Sequence, residues 1–151
     1  MRDSKLVNVP IPVGTNISAE QCPKTQEEEE DMSRVPYASA VGSLMYAMVC
    51  TRPEISHVVG VLSRFISNAG KEHWTIVKQV FRYLRGTSDY GLCYQERPGL
   101  ERVLDIRGFV DADWATDLGQ RRSTSGYVFS LFGGAVSWMS KRQSIVDLST
   151  T

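Results

Sequence analysis

The amino-acid sequence predicts an α+β chain in which three amphipathic helices precede a short antiparallel sheet. Between residues 36 and 86 the apolar side chains recur at the spacing of a helix face. After residue 88 the apolar period shifts toward two, which is typical of strands. The pair Gly133-Gly134 separates two apolar runs and can supply the positive φ angles of a tight hairpin. We therefore expect a meander of three or four strands.

Residues 1–35 are predicted to be an extended or loosely ordered acidic lead-in, because they contain three prolines and no sustained apolar period. The acidic run from Glu27 to Asp31 is interpreted as a solvated approach to the first helix, whose N-terminus favours negative charge. A binding role for this run is the less favoured alternative.

Residues 36–88 are predicted to form a bundle of three helices joined by short links. The first runs from Pro36 to about residue 50. The second opens with the capping-box spacing of Thr51 and Glu54 and ends at Gly70. The third spans about residues 71–85, with Gly86 as its C-terminal cap. The side chains expected on the apolar faces are Tyr37, Ala40, Val41, Leu44, Met45, Met48, Ile55, Val58, Val59, Leu62, Ile66, Trp74, Val77, Phe81 and Leu84.

Four basic residues of the third helix form a candidate nucleic-acid contact. Lys71, Lys78, Arg82 and Arg85 have spacings of 7, 4 and 3, which places them on one face opposite the apolar one. Residues 32–88 hold seven basic and two acidic side chains, net +5, whereas residues 1–31 hold three and seven, net −4. The alternative is an ordinary solvated face.

Residues 89–104 are predicted to form a short strand at 91–94 and a charged linker. Residues 105–151 are predicted to form the sheet. Its strands are expected at 105–111, 126–131 and 135–140, with a further segment at 144–149 after a turn at 141–143. Asp111 and Asp113 follow an apolar run and share a face, which suits a divalent cation because magnesium takes oxygen ligands. The alternative is that they open a polar loop.

Composition excludes several classes of protein. Of 151 residues, 42% are hydrophobic and 23% charged, as in ordinary soluble domains, and no signal peptide or membrane span is recognisable. Three widely spaced cysteines and two histidines argue against a zinc site and a disulfide framework. His57 and His73 lie close to the inner side of a helix and are expected to be structural. A cytoplasmic or nuclear location is expected, without secretion or membrane attachment.

Several segments carry a resemblance to a known family. They read VPYASAVGSLMYAMVCTRPE at 35–54, GKEHW at 70–74, RYLRGT at 82–87, VDADWA at 110–115, RSTSGY at 122–127, GGAVSW at 133–138 and LSTT at 148–151. Through them nearly the whole chain resembles part of the Pol polyprotein of copia-type LTR retrotransposons.

The resemblance implies that residues 36–88 are a thumb-like bundle at the end of the reverse transcriptase and that residues 105–151 open the RNase H domain. Asp111 matches the family's first metal-binding, catalytic aspartate, and Asp113 matches a recurrent position and is a candidate second ligand. The intact family uses magnesium to hydrolyse the RNA strand of an RNA–DNA hybrid. Here Lys78, Arg82 and Arg85 would grip the hybrid backbone. The polymerase aspartates belong upstream, and the catalytic glutamate follows the LSTT segment.

We therefore expect a truncated RNase H-like sheet, and a fragment of Pol that binds no magnesium and cleaves nothing by itself. Its partners would be an RNA–DNA hybrid, another nucleic acid or other Pol segments. Asp147 stands where the family usually has alanine, and an inward carboxylate would destabilise its strand. This fits a decayed copy, although a partial gene model would look the same. Two alternatives stay open: a non-enzymatic nucleic-acid-binding remnant that uses the basic helices, and a product that does not fold stably.

Overall fold

The computed structural model describes residues 5–12, 14–95, 106–113 and 122–144. Within these ranges four α-helices precede a three-stranded antiparallel sheet, which confirms the α+β class. The chain divides into two compact units, unit 1 (residues 1–90) and unit 2 (residues 91–151). In the described ranges, no helix is both long and apolar enough to cross a membrane.

Unit 1 is a helical bundle around one apolar core. Its helices are α1 (Gln26–Ser33), α2 (Tyr37–Cys50), α3 (Ser56–Leu62) and α4 (Lys71–Gly86), with 3-10 turns at Ala19–Gln21, Pro53–Ile55 and Ser63–Phe65. The fully buried apolar side chains come from α2, α3, α4 and the second 3-10 turn: Val41, Leu44, Ile55, Val58, Val59, Leu62, Val77 and Val80. The buried Tyr37 hydroxyl donates to the carbonyl of Leu62 at 2.9 Å and ties α2 to α3.

The N-terminal region is more ordered than predicted. The acidic run lies in α1, which starts because the hydroxyl of Thr25 accepts a hydrogen bond from the Glu28 amide, and the Glu28 carboxylate accepts one from the Lys24 amide. The Thr-x-x-Glu spacing of this helix start is visible in the sequence, although no helix was predicted from it. Before α1, the side chains of Val7 and Ile17 pack against the core. All five acidic residues of the run are solvent-exposed, as expected.

The second predicted helix is wrong in its opening and in its continuity. Thr51 ends α2 instead of capping the next helix, and its amide donates to the Ala47 carbonyl at 3.1 Å. Glu54 pairs with Arg52, at 2.6 Å, and therefore does not complete a capping box with Thr51. The helical path continues through two 3-10 turns flanking α3, and Ile66 beyond it is exposed.

The third predicted helix is confirmed as α4, with its buried side rotated from the expected one. The residues that α4 buries are His73, Ile76, Val77, Val80 and Tyr83. Trp74, Phe81 and Leu84 are only half-buried and pack at the margin of the core. Gly86 is the last helical residue, and Thr87 occupies the capping position. A Cβ at Gly86 would lie 3.6 Å from the Cβ of Leu6, an ordinary contact distance, so the N-terminal segment does not require a glycine here.

Unit 2 is an antiparallel meander in the order β1 (Ile106–Asp113), β2 (Thr124–Leu131) and β3 (Gly134–Arg142). Three expectations need correction. The segment at 91–94 forms no strand. Residues 141 and 142 extend β3 instead of forming a turn. The first strand runs on through Asp113. The position of Asp147 and most of the fourth predicted strand lie outside the described residues.

The turn of the β2–β3 hairpin uses only one glycine of the predicted Gly133-Gly134 pair. The two turn residues with positive φ are Phe132, at 51°, and Gly133, at 83°, whereas Gly134 is already the first residue of β3. Gly134 is needed for another reason, since a Cβ there would lie 2.5 Å from the ring of Tyr94. The Tyr94 hydroxyl donates to the Ala135 carbonyl at 2.7 Å, so this ring closes the end of the hairpin.

Candidate nucleic-acid interface and metal-ligand position

Three of the four predicted basic contacts lie along the solvent side of α4. Arg85 is exposed, while Lys78 and Arg82 are half-buried, on the side of the helix away from its core residues. The Nε atom of Arg82 is buried and has no hydrogen-bond partner among the described residues. The Arg82 side chain is therefore partly covered by the protein as far as its Nε atom. Lys78, Arg82 and Arg85 lie on one side of α4, and we call these three residues the basic track.

The fourth predicted contact, Lys71, is engaged within the chain. Its Nζ lies 2.8 Å from an Oδ of Asp31 on α1, and both side chains are more than half exposed. The hydrogen bond and charge of Asp31, followed by the charges of Glu28 and Glu27, raise the pKa of Lys71. Conversely, Lys71 lowers the pKa of Asp31. The structure thus separates Lys71, at the first turn of α4, from the basic track.

Asp111 occupies an accessible position within β1, two residues before the strand ends. Its side chain is exposed, and its partner across the β1–β2 ladder is Gly126, which is followed across β3 by Ser140. Because Gly126 has no side chain, nothing on the adjacent strand covers the carboxylate from the directly opposed position. Asp113 lies two positions further along β1, opposite Thr124.

This arrangement can supply one hard oxygen ligand, and in that respect Asp111 fits magnesium. A two-metal site needs several converging carboxylates. Among the described residues, no group of three or more histidine, cysteine, aspartate or glutamate side chains is placed to hold a metal. The ladder partners of Asp111, a glycine and then a serine, add no carboxylate to the site.

A buried histidine joins the start of α4 to the N-terminal segment. His73 is 0% exposed, and its ring stacks on Phe65 with centroids 4.2 Å apart. Its Nδ1 accepts the Gly70 amide at 2.9 Å, so the proton is on Nε2, which donates to the Ser18 carbonyl at 3.2 Å. Burial lowers the pKa of His73. Its structural role was predicted correctly. His57, which was placed on the inner side of its helix, is exposed.

A second polar cluster, which the sequence did not predict, fixes the C-terminus of α4. The buried guanidinium of Arg52 donates through Nη1 to the Thr87 carbonyl at 3.1 Å and through Nη2 to the Thr87 hydroxyl. Its centre lies 5.7 Å from the ring centroid of Tyr83, and its Nε pairs with Glu54. The only sequence signal was an arginine beside a helix-opening proline, which does not identify a partner 35 residues away.

Comparison with known proteins adds evidence that the geometry alone does not contain. No family model matches the chain, and no solved structure matches it. Over all 151 residues it is 52% identical to the Retrovirus-related Pol polyprotein from transposon TNT 1-94 of Nicotiana tabacum. Over 115 residues, 76% of the chain, it is 38% identical to the Retrovirus-related Pol polyprotein from transposon RE2 of Arabidopsis thaliana.

The chain spans 11% of the tobacco polyprotein and 8% of the Arabidopsis one. A relative of similar length is Secreted RxLR effector protein 161 of Plasmopara viticola. The two chains are 52% identical over 120 residues, which are 80% of this chain and 82% of the effector.

Proposed function

Because this chain is homologous over its whole length to copia-type retrotransposon Pol polyproteins, we propose that it joins the end of the reverse transcriptase to the first strands of the RNase H domain. The observation that carries the proposal is the order of elements. A helical unit with a basic track is followed by an antiparallel sheet whose first strand bears Asp111 at an open position.

The role proposed for unit 1 is contact with the sugar–phosphate backbone of an RNA–DNA hybrid. Lys78, Arg82 and Arg85 follow one side of α4, and the side chains of the opposite side are in the core. A rigid helix with regularly spaced cations can neutralise successive phosphates without reading bases. We therefore expect binding to depend strongly on salt and weakly on sequence.

The role proposed for unit 2 is to supply the first metal ligand of the RNase H site. Magnesium, when bound in an intact Pol, activates water and stabilises the leaving oxygen during hydrolysis of the RNA strand. Asp111 would hold it, since its carboxylate is exposed and faces a glycine across the ladder. Asp113 is the candidate for a second ligand from the same strand.

We propose that the 151-residue chain by itself cleaves no hybrid. The described strands beside Asp111 contribute Gly126 and Ser140, which cannot replace the carboxylates that a two-metal mechanism requires. Other Pol segments are the proposed partners of unit 2. The exposure of Phe109 and Val110, 61% and 78% on opposite faces of β1, favours such an association.

A second candidate function is that of a non-enzymatic nucleic-acid-binding module. The observation in its favour is that the basic track is built entirely from unit 1, which forms a compact unit with its own core. This candidate requires hybrid or duplex binding but assigns no role to Asp111.

The test measures binding and cleavage on the same protein. Fluorescence anisotropy with a labelled RNA–DNA hybrid, over a series of salt concentrations, should give a log–log salt slope that becomes shallower by about 2 to 3 in a Lys78→Ala, Arg82→Ala, Arg85→Ala variant. The control variant Arg34→Ala removes a positive charge from the exposed end of α1 and should change binding little. Equal losses in the two variants would contradict the assigned surface.

Cleavage is measured with magnesium and a hybrid labelled on the RNA strand. No product is expected from the chain alone, and cleavage that disappears in Asp111→Asn would contradict the proposed inactivity. To test the role of Asp111, residues 1–151 replace the matching segment of the tobacco polyprotein, and the parent is assayed alongside. Cleavage by this chimera that is lost in Asp111→Asn supports the RNase H assignment. Cleavage unaffected by the substitution would instead favour the binding module.

A further inference from the structure

The acidic helix α1 directs one side toward the start of α4. Glu27, Glu28 and Asp31 are spaced to share that side, and these three carboxylates raise the pKa of Lys71. Asp31 makes the direct contact at 2.8 Å. A cleft of about 320 Å³ lies beside this contact, and its lining includes Lys24, Glu28 and Lys71. The exposed Glu29 contributes to neither the ion pair nor the pKa shift of Lys71.

Helix α1 lies next to the N-terminus of α4, where the positive charge would otherwise attract a phosphate group. Lys71 is the first residue of α4, so its ammonium lies at the end of the helix where backbone N–H groups are positive. Lys71 is also one heptad from Lys78, in line with the basic track. The carboxylates of α1 supply the negative charge at this end in place of a ligand.

We propose that α1 is an internal polyanion that competes with nucleic acid for Lys71 and so limits the contact surface of α4 to the basic track. The inference rests on the proposed function of α4 in binding nucleic acid. It specifies that Lys71 becomes a phosphate contact only when Asp31 no longer holds it. The acidic run, whose sequence suggested mere solvation, thereby lowers the affinity of unit 1 for nucleic acid.

The experiment is a double-mutant cycle on the full chain, with anisotropy of a labelled RNA–DNA hybrid at several salt concentrations. Asp31→Asn is expected to raise hybrid affinity by about two- to fivefold at low salt, the range of exposed ion pairs. It should also steepen the salt slope by about 0.7 to 0.9, corresponding to one added phosphate contact. Lys71→Ala alone should lower affinity only slightly, by the same through-space charge effect that acts in the control below, and in the Asp31→Asn background it should abolish the gain.

The matched control is Glu29→Gln, which removes the same charge from α1 at a residue that does not act on Lys71. It should give a smaller gain and no change of slope. The inference is overturned if Glu29→Gln and Asp31→Asn behave alike, if Asp31→Asn changes nothing, or if Lys71→Ala alone weakens binding severalfold. If the wild-type chain binds the hybrid through the basic track and any of these results is obtained, only the role of α1 is contradicted. Absence of hybrid binding in every variant contradicts the proposed function as well.

Discussion

Replacing Arg52 by methionine tests whether the buried polar cluster holds the end of α4. The substitution keeps an unbranched side chain of similar length and removes both hydrogen bonds to Thr87 and the cation–π contact with Tyr83. Charge-assisted hydrogen bonds contribute about 1.5 kcal/mol each, and the ring contact about 0.5–1 kcal/mol. We therefore expect unit 1 to lose about 3–4 kcal/mol of unfolding free energy.

The ion pair with Glu54 should contribute much less. The Glu54 side chain is 35% exposed, compared with 10% for Arg52, so solvent screens this pair. Glu54→Gln should cost no more than about 1 kcal/mol. Arg52→Lys retains the charge but cannot present a planar fork to both Thr87 oxygens, and its effect should fall between the other two.

Hydrogen exchange measured by mass spectrometry suits this test because it reports on α4 separately from the sheet of unit 2. The protection of amides in residues 71–86 should fall most in Arg52→Met. Arg34→Met, at an exposed position, serves as the control. A loss below about 1 kcal/mol in Arg52→Met, or equal losses in Arg52→Met and Glu54→Gln, would refute the assignment of the energy to the Thr87 contacts.

Three further predictions concern single residues of the two units. Because burial lowers the pKa of His73, which is neutral in the fold, unit 1 should lose stability as pH falls below the ordinary value of 6.5. Urea titrations should show this dependence flattened in His73→Gln. Gly70→Ala should lower the unfolding free energy by about 1–3 kcal/mol and open the N-terminal segment to proteolysis, because its Cβ would overlap the backbone oxygen of Gln21. Gly42→Ala is the control: open space surrounds Gly42, and the substitution should stabilise α2. Phe132→Asn should increase amide protection in the hairpin by about 0.5–1 kcal/mol, because asparagine tolerates the left-handed conformation better.

Local patterns predicted the elements whose signals are periodic or tied to turn chemistry. The extent of α4 and the β2–β3 hairpin follow from spacing and turn residues, although the buried side of α4 is rotated from the predicted one. Helix α1 could have been predicted as well, because Thr25 and Glu28 have the spacing of a reciprocal cap. The helix was not predicted, because the acidic run has no apolar face and an apolar face is the main sequence signal of a helix.

The tertiary pairings could not be predicted, because sequence distance does not encode them. Asp31 meets Lys71, and Arg52 meets Thr87, only after the bundle has closed. The contact of Gly70 with the N-terminal segment could not be predicted either, because in the sequence this glycine only marks the boundary between two helices. For Asp111 the sequence predicted a carboxylate at the end of the first strand. The open ladder position opposite it, at Gly126, required the register.

The motifs behind the resemblance in unit 1 belong mostly to structural contacts. In the segment 70–74, Gly70 and His73 bind the N-terminal segment, and the segments 35–54 and 82–87 contribute Arg52 and Thr87 to one buried cluster. Since these residues stabilise the fold, a chain can keep the motifs and the bundle whether or not it hydrolyses RNA. Catalysis would depend on Asp111, which is exposed and contributes nothing to the core. Asp111→Asn in the polyprotein chimera should therefore abolish cleavage while leaving amide protection in α4 unchanged.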